Sequence, residues 1–272
     1  MPEGRLHKNS RRYVKVHKSF LEKIYKKYNR RNFVHPDPLE FLYLYSNLRD
    51  REIVGVIASS LAYGRVKQIL KSILVVLEKV GKSPYKYLMS KSDRDIAADF
   101  KGFKHRFTTG SDKADLLIGM KHVIKRYGSL YKCFEAGYDS RDKNYNNALS
   151  FLIREITSGA GVKKLALLPL PELGSACKRL NLFLRWMIRK DEVDPGGWNT
   201  LSPSKLIVPL DTHMYKIGKR LKYTSRKQAN LKTAIEITQG FAKASPKDPV
   251  KYDFALTRFG IRNELDLNQL FA

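Results

Sequence analysis

Apolar residues recur along most of the chain at intervals of three and four positions. One such stripe consists of Val66, Ile69, Leu70, Ile73, Leu74 and Leu77, and similar stripes follow it. This spacing places apolar side chains on one face of a helix, so it predicts a series of amphipathic helices. No segment alternates convincingly between apolar and polar residues, and the sequence therefore predicts an all-α fold without a sheet.

Residues that start and stop helices give these elements approximate bounds. Asp37 with Pro38, and also Asp50, are expected to begin helices, while Gly81 and Gly128 should end them. The predicted helices cover about residues 20–28, 37–45, 50–61, 66–80, a short piece from 84, 111–127, 129–136, 144–158, 175–189, 212–221, 226–243 and 249–259. Residues 168–174 are expected to form a tight turn and residues 190–205 a loop.

The chain has an ordinary hydrophobic content but an unusual charge. Hydrophobic residues make up 43% of its 272 positions and charged residues 29%, which is typical of a folded globular protein. However, 52 Lys and Arg residues oppose 26 Asp and Glu residues, and the formal net charge is +26. Such an excess repels itself in a compact protein, so it indicates a polyanionic partner, with nucleic acid favoured.

Other partners and cofactors are not indicated by the sequence. No apolar run is long enough to span a bilayer and no signal-peptide pattern begins the chain, so we expect no membrane partner and a cytoplasmic location. Cys133 and Cys177 are far apart and cannot form a four-thiolate site, and we expect both thiols in the core. No metal and no cofactor are expected.

The first 35 residues are strongly basic, with 11 Lys and Arg residues against Glu3 and Glu22. Within them, apolar residues from Phe20 to Tyr28 recur at helical spacing. The pattern predicts a basic amphipathic helix after a short mobile arm. Its basic face either contacts phosphates directly or is only solvated, and both interpretations stay open.

Residues 207–214, Ile-Val-Pro-Leu-Asp-Thr-His-Met, are the most informative part of the chain. Asp211 directly precedes an amphipathic pattern formed by Met214, Ile217 and Leu221. Its carboxylate should therefore lie at a helix N-terminus and accept backbone N–H bonds. From this placement alone, an ordinary N-cap is the favoured interpretation.

Residues 209–221 resemble the Val-Asp-Thr-His block of the helix–hairpin–helix DNA glycosylase superfamily, in which this aspartate serves catalysis. Together with residues 50–54, 61–66 and 248–261, they look like an uncharacterised family of glycosylase-like proteins from about residue 33 onward. The resemblance implies a two-lobed helix–hairpin–helix glycosylase-like fold with a cleft between the lobes. One lobe would combine residues 1–49 with 206–272, and the other would comprise residues 50–205.

The hairpin of that superfamily is similar to residues 170–176, but with two departures. Glu172 replaces its first glycine, and Ala176 stands where the nucleophilic lysine is usual. Two residues later, Lys178 opens a helix that looks like the lysine-bearing helix of the archaeal 8-oxoguanine glycosylases. The resemblance therefore implies that Lys178 is the nucleophile, with Lys190 and Lys205 as weaker rivals.

The periodicity of the lysine-bearing helix predicts which of its residues are buried and which are exposed. Leu180, Phe183, Leu184 and Met187 should form its buried face. Lys178, Arg185 and Arg189 should project from the opposite side. Lys178 is thus predicted to face a cleft or solvent rather than the core.

Lysine and aspartate suit the chemistry that this resemblance implies. Breaking an N-glycosidic bond builds positive charge on the sugar, which the carboxylate of Asp211 would stabilise. The amine of Lys178 would attack the anomeric carbon and form a Schiff base that permits strand cleavage. In so basic a chain, the alternative is a lysine that contacts phosphate or is merely solvated.

Further residues are candidates for DNA binding. Expected contacts with the nucleic acid are Gly174, Ser175, Arg179, Arg185, His213 and Lys216. Tyr63, Trp186 and Trp198 are candidates for a pocket that holds the extruded base. For each of the three aromatic residues, packing in the core is the alternative role.

The sequence and the resemblance together predict a monomeric DNA N-glycosylase with β-lyase activity in base excision repair. It would act on duplex DNA with a damaged base, and the lysine helix favours an oxidised purine. The alternatives are a non-catalytic nucleic-acid-binding protein on the same scaffold and a basic helical protein associated with RNA or the ribosome. The altered hairpin favours these alternatives, whereas the Asp211 block opposes them.

Overall fold

The computed structural model describes residues 18–262, 265 and 270, and these residues are mostly helical. The helices are α1 (18–28), α2 (Leu48–Ser60), α3 (Val66–Val80), α4 (Pro84–Ser90), α5 (Asp93–Asp99), α6 (Gly110–Tyr127), α7 (Leu130–Ala136), α8 (Asn146–Gly159), α9 (Lys178–Ile188), α10 (Thr212–Arg220), α11 (Leu231–Ala242) and α12 (Asp253–Ile261). Short 3₁₀ helices cover Arg31–Phe33, Pro38–Leu44, Pro171–Leu173 and Pro203–Lys205. The predicted all-α class is confirmed, and the predicted basic helix coincides with α1. The predicted mobile arm lies outside the described residues.

One small element departs from the all-α prediction. Strands β1 (Lys104–His105) and β2 (Thr108–Thr109) form an antiparallel hairpin directly before α6, with His105 opposite Thr108. Each strand has only two residues, which is too short for alternation between apolar and polar positions to be recognised in a sequence. The prediction that the chain contains no sheet was therefore wrong at this point.

The core is continuous and is built from the apolar helix faces. Helices α2 and α9 pack together, and so do α6 and α8. A Cβ at Gly119 of α6 would lie 2.2 Å from the backbone oxygen of Ile156 in α8, so the glycine lets these two helices approach closely. Cys133 and Cys177 are buried free thiols, as predicted.

Several helix starts differ from their predicted positions. Asp50 lies in the first turn of α2, whose N-cap is Asn47, and its carboxylate instead accepts hydrogen bonds from Ser83 Oγ (2.9 Å) and Tyr85 N (2.8 Å) at the start of α4. Helix α9 begins at Lys178 rather than at residue 175 because the preceding Cys177 has left-handed backbone angles, with φ of +47°. Asp37 caps a helix as predicted, but the helix is of the 3₁₀ type.

A buried ionic network joins α9 to the loop that follows it and to α12. Arg185 donates hydrogen bonds to Asp194 and Asp253, and Arg189 donates to Asp191, Asp194 and Asp248. Both arginines are almost completely buried, and the surrounding carboxylates raise the pKa of each guanidinium. The prediction that Arg185 and Arg189 project from the exposed face of α9 was therefore wrong.

Candidate functional site: an ion pair in a cleft

A cleft of about 550 Å³ opens beside the N-terminal ends of α9 and α10. Its walls come from stretches that are far apart in the sequence: residues 36–38, residues 62–69, residue 169, residues 175–186, residues 209–213 and α12. Most of the predicted site residues lie on these walls: Lys178, Asp211, Tyr63, Ser175, Arg179, Arg185, Trp186 and His213. The fold thus brings together most of the residues that the sequence and the family resemblance predict to be functional.

Lys178 and Asp211 form an ion pair in this cleft. The distance from Lys178 Nζ to Asp211 Oδ2 is 3.5 Å, although the two residues are 33 positions apart in the sequence. The side chains remain partly accessible, with 34% of Lys178 and 16% of Asp211 exposed. Both groups can therefore meet a ligand that enters the cleft.

The placement of Asp211 follows from local helix chemistry. Its backbone is extended, and its Oδ1 accepts a 2.8 Å hydrogen bond from Met214 N in the first turn of α10. A carboxylate at this end of a helix is stabilised by the free backbone N–H groups. This hydrogen bond uses Oδ1 and leaves Oδ2 directed to Lys178, so the cap fixes the orientation of the ion pair. The predicted N-cap is confirmed.

Lys178 is positioned by the start of α9. It is the first residue of the helix, and the predicted apolar face of Leu180, Phe183, Leu184 and Met187 is buried. Because that face is anchored in the core, the first turn is held at the edge of the cleft. The prediction that Lys178 faces a cleft or solvent is confirmed.

The floor of the cleft contains buried polar atoms that have no hydrogen-bond partner in the described part of the chain. These atoms are Trp186 Nε1, Asp253 Oδ1, and both Nε and Nη1 of Arg258. Arg258 uses its remaining nitrogen, Nη2, to bind Asp37 Oδ2 at 2.7 Å. Leaving a buried donor or acceptor unpaired is unfavourable, so these atoms form a group of unsatisfied polar atoms buried beneath the cleft surface.

Asp253 is electrostatically linked to Asp211. Burial raises the pKa of Asp253 to about 6, while Arg185 opposes this rise and the negative charge of Asp211 adds to it. The cleft therefore contains two carboxyl groups in different environments. Asp253 is paired with an arginine in the interior, and Asp211 is paired with a lysine that solvent can reach.

Two arginines lie near the ring of Tyr63 on one wall of the cleft, and one of them, Arg179, also lines the cleft. The guanidinium carbon of Arg179 is 5.1 Å from the centre of the Tyr63 ring, and that of Arg106 is 6.0 Å from it. Arg179 Nη1 also donates a 2.9 Å hydrogen bond to the backbone oxygen of Ser60. In the described residues, neither arginine pairs with a carboxylate, so this wall is strongly positive.

The remaining candidates occupy different positions. Trp198 is in the core, where its Nε1 donates a 2.9 Å hydrogen bond to Glu52, so its proposed place in a base pocket was wrong and the alternative of core packing is confirmed. Gly174 ends the short 3₁₀ turn with φ of +81°, and Lys216 is exposed on α10; neither lines the cleft. Glu172 of the altered hairpin pairs with Arg154 Nη2 at 2.6 Å.

The sequence did not predict that Asp37, Asp253, Arg258 or the β hairpin belongs to the site. Asp253 and Arg258 lie within the block 248–261 that carried part of the family resemblance, so their polar character inside an apolar helix was a usable signal. Asp37 was recognised only as a helix cap. The hairpin lies in a charged stretch without a helical pattern, which gave no signal.

Two features are absent from the described residues, a cluster of metal-binding side chains and a membrane-spanning helix. No group of three or more His, Cys, Asp or Glu side chains among them is arranged to hold a metal ion. No described helix has both the length and the apolar composition needed to cross a membrane.

Comparison with known proteins gives a family but no described activity. No curated protein matches the chain, and no solved structure matches it. A family model described as "protein of unknown function (DUF2400)" matches residues 37–262, which include α2 to α12 and every cleft-lining residue except Pro36. The chain therefore belongs to the DUF2400 family.

Proposed function

We propose that the protein is a DNA N-glycosylase with β-lyase activity that acts on duplex DNA containing a damaged base. The observation that carries this proposal is the ion pair of Lys178 and Asp211, 3.5 Å apart and partly accessible in a cleft with a positive wall. A lysine nucleophile and a fixed carboxylate are the two groups that the reaction requires. The formal charge of +26 suits a phosphate-rich partner.

The proposed reaction assigns a separate task to each residue. Lys178 loses a proton, and Asp211 is placed to accept it; the free amine then attacks C1′ of the extruded nucleotide. The bond from C1′ to the base breaks, and its electron pair leaves with the base, which takes up a proton. Positive charge that develops on the sugar is stabilised by the carboxylate of Asp211.

The lyase step follows from the same covalent bond. Opening of the sugar ring gives a Schiff base between Lys178 Nζ and C1′. Loss of a proton from C2′ then expels the 3′ phosphate and cleaves the strand, and water releases the lysine. The chain's own groups supply this chemistry, and the proposal requires no metal or cofactor.

We further propose a two-lobed arrangement in which the cleft is the DNA groove. Cleft residues before position 50 and after position 205 would belong to one lobe, and those from Ala62 to Trp186 to the other. The lining of the cleft by both groups supports these boundaries. We also propose a monomeric enzyme of the cytoplasm.

The cleft floor supports a base-binding pocket. Trp186, Asp253 and Arg258 have unpaired donors and an acceptor beneath the cleft surface, and we propose that these atoms become exposed to the polar edge of a base when it enters. Tyr63 also lines the cleft and supplies an aromatic ring. An oxidised purine has carbonyl oxygens and ring N–H groups that suit this set, and it is our proposed substrate class.

Borohydride trapping tests the proposal directly. The protein is incubated with duplexes that carry single oxidised bases or one natural abasic site, in the presence of sodium borohydride. We expect a covalent protein–DNA adduct that Lys178→Gln abolishes. Lys190→Gln, which removes an exposed lysine beyond the other end of α9, is the matched control and should still be trapped.

Base release from each duplex separates the roles of the two residues. Asp211→Asn should lower the rate of base release by at least about a hundredfold, in line with the loss of one electrostatic group in other active sites. Base release that survives in Lys178→Gln but not in Asp211→Asn would favour a glycosylase without lyase activity. No trapping and no base release from any duplex would overturn the proposal in favour of a non-catalytic binding protein.

A further inference from the structure

The β hairpin carries an exposed aromatic residue at its tip. Arg106 and Phe107 form the two-residue turn between β1 and β2, and 84% of Phe107 is exposed, the largest exposure among the exposed large hydrophobic residues. The neighbouring Lys104 and Arg106 are also exposed. We call residues 104–109 the finger.

The finger is rigidly attached to the wall of the cleft. Tyr63 Oη donates a 2.9 Å hydrogen bond to the backbone oxygen of His105 and lies 2.7 Å from Thr108 Oγ1. The buried ring of His105 contacts Tyr63 edge-on, and its Nε2 donates a 3.1 Å hydrogen bond to the Tyr63 backbone oxygen. Nδ1 of His105 then accepts from Ser72 Oγ at 2.9 Å. Both strands are thus fixed to one cleft-lining residue.

Two backbone positions bring the finger tip close to the cleft. Arg106 has a left-handed φ of +54°, which is unfavourable for a residue with a side chain. A Cβ at Gly64, which lines the cleft and has φ of +101°, would lie 2.7 Å from Arg106 Cδ. The close approach at Gly64 therefore lets Arg106 lie against a cleft-lining residue. Phe107 follows directly, with its ring centre 5.7 Å from the Arg106 guanidinium carbon.

The charge around Phe107 indicates what it meets. Lys104, Arg106 and Arg179 pair with no carboxylate in the described part of the chain. The nearest acid along the chain, Asp112, is held by Thr109 N (2.8 Å) and Thr109 Oγ1 (2.7 Å) at the start of α6. An exposed aromatic ring among unpaired cations suits a ligand that combines phosphates with flat apolar rings.

We propose that the finger inserts Phe107 into the base stack of duplex DNA, where it fills the space left by the nucleotide that enters the cleft. Arg106 would bind the phosphate backbone beside it. The inference rests on the proposed function for the identity of the duplex, but it concerns binding and does not require a chemical step. Apolar side chains that enter a stack offset part of the cost of separating the bases.

Binding to an abasic analogue tests this role without any reaction. The two probes are a fluorescein-labelled duplex with one central tetrahydrofuran residue, which lacks a base, and the same duplex intact. We expect the wild type to prefer the tetrahydrofuran duplex, and Phe107→Ala to lower that preference on the order of tenfold by weakening binding to this duplex alone. Leu74→Ala removes another exposed apolar side chain, on α3 and outside the cleft lining, and should keep the preference.

Phe107→Trp provides a direct signal of stacking. It should retain the preference, and the fluorescence of its exposed indole should be quenched on binding to the tetrahydrofuran duplex more than to the intact duplex. Because Phe107 is exposed, neither Phe107→Ala nor Phe107→Trp should change the thermal unfolding temperature of the protein. The inference is overturned if the wild type shows no preference, if Phe107→Ala keeps it, or if that variant weakens binding to both duplexes equally.

The binding test of Phe107 and the borohydride test of the proposed activity can fail independently of each other. A preference that depends on Phe107, together with failed borohydride trapping, would support the finger and contradict the glycosylase. Successful trapping with a preference that does not depend on Phe107 would support the glycosylase and overturn the finger.

Discussion

Lys113 is a charged residue in an unusual environment. It lies on α6 with none of its surface exposed, and its Nζ donates a 3.2 Å hydrogen bond to Ser60 Oγ. Burial lowers the pKa of Lys113 to about 7, Arg179 lowers it further, and Asp112 opposes this. Its burial therefore costs stability whenever the amine is charged.

This cost predicts how stability depends on pH. Between pH 7 and about pH 10.5, the unfolded chain keeps a proton on Lys113 that the folded protein has lost, so the contribution of this residue to stability rises with pH. Lys113→Met should remove the rise and should raise the free energy of unfolding at pH 7 by about 2–5 kcal/mol. Urea unfolding at pH 7 and pH 9 measures both effects.

The exposed Lys125 of the same helix provides the control. Lys125→Met should change stability by less than about 0.5 kcal/mol and should keep the pH dependence of the wild type. If Lys113→Met were no more stable than the wild type at pH 7, the buried amine would not be the source of the cost.

Prediction from the sequence succeeded for some residues and failed for others for a physical reason. Helical periodicity and the capping position placed Lys178 and Asp211 correctly, because both depend on neighbouring residues. The same periodicity placed Arg185 on the exposed face, but Arg185 is buried by its carboxylate partners Asp194 and Asp253. The second partner is 68 positions away, and no local pattern contains that contact.

At the scale of elements, the 3₁₀ helix Pro38–Leu44 and α12 are joined by one carboxylate. Asp37 Oδ1 accepts a 3.0 Å hydrogen bond from Leu39 N, and Oδ2 accepts from Arg258, whose side chain is 2% exposed. The carboxylate therefore caps one element and neutralises a buried cation in another.

Asp37→Ala should lower the free energy of unfolding by about 3–5 kcal/mol, because it removes a cap and leaves the guanidinium of Arg258 buried without a carboxylate. Asp37→Asn keeps the capping oxygen, so it should lower the free energy of unfolding less than Asp37→Ala does. The control is Glu40→Ala in the same 3₁₀ helix. Within the described part of the chain, Glu40 pairs only with the exposed His35, so its loss should cost about 1 kcal/mol or less. Urea unfolding ranks the variants, and equal losses for Asp37→Ala and Glu40→Ala would contradict the role of Arg258.

Most elements could be predicted from the sequence, but their ends depended on tertiary contacts. Gly81 and Gly128 end α3 and α6 as expected, because a glycine adopts the required backbone angles without a partner. Helix α12, in contrast, begins at Asp253 rather than near Asp248. The carboxylate of Asp248 accepts two hydrogen bonds from Arg189 Nε, at 3.1 and 3.0 Å, instead of capping a helix.

At the scale of the whole molecule, the charge and the cleft are two separate observations on which the proposed DNA partner rests. Composition alone gave the excess of 26 positive charges, whereas the cleft depends on stretches between residues 36 and 261 that only the folded chain brings together. The charge could be read from the sequence without any structure. The shape of the cleft could not, because its walls have no common local pattern.

The basic N-terminal segment allows the charge to be tested directly. Residues 1–17 contain Arg5, Lys8, Arg11, Arg12 and Lys15 and one acid, Glu3. If these cations contact phosphates, each contact releases counterions and steepens the salt dependence of binding by roughly 0.9 in a plot of log K against log salt. Replacing all five with Gln should therefore make the slope for duplex DNA shallower by about two units or more.

Exchanging Lys and Arg at the same positions conserves the charge and should keep the slope within about half a unit. An equal slope for the Gln variant and the wild type would show that these cations are solvated and do not contact phosphates. Stronger binding to structured RNA than to duplex DNA in direct competition would support an RNA partner instead.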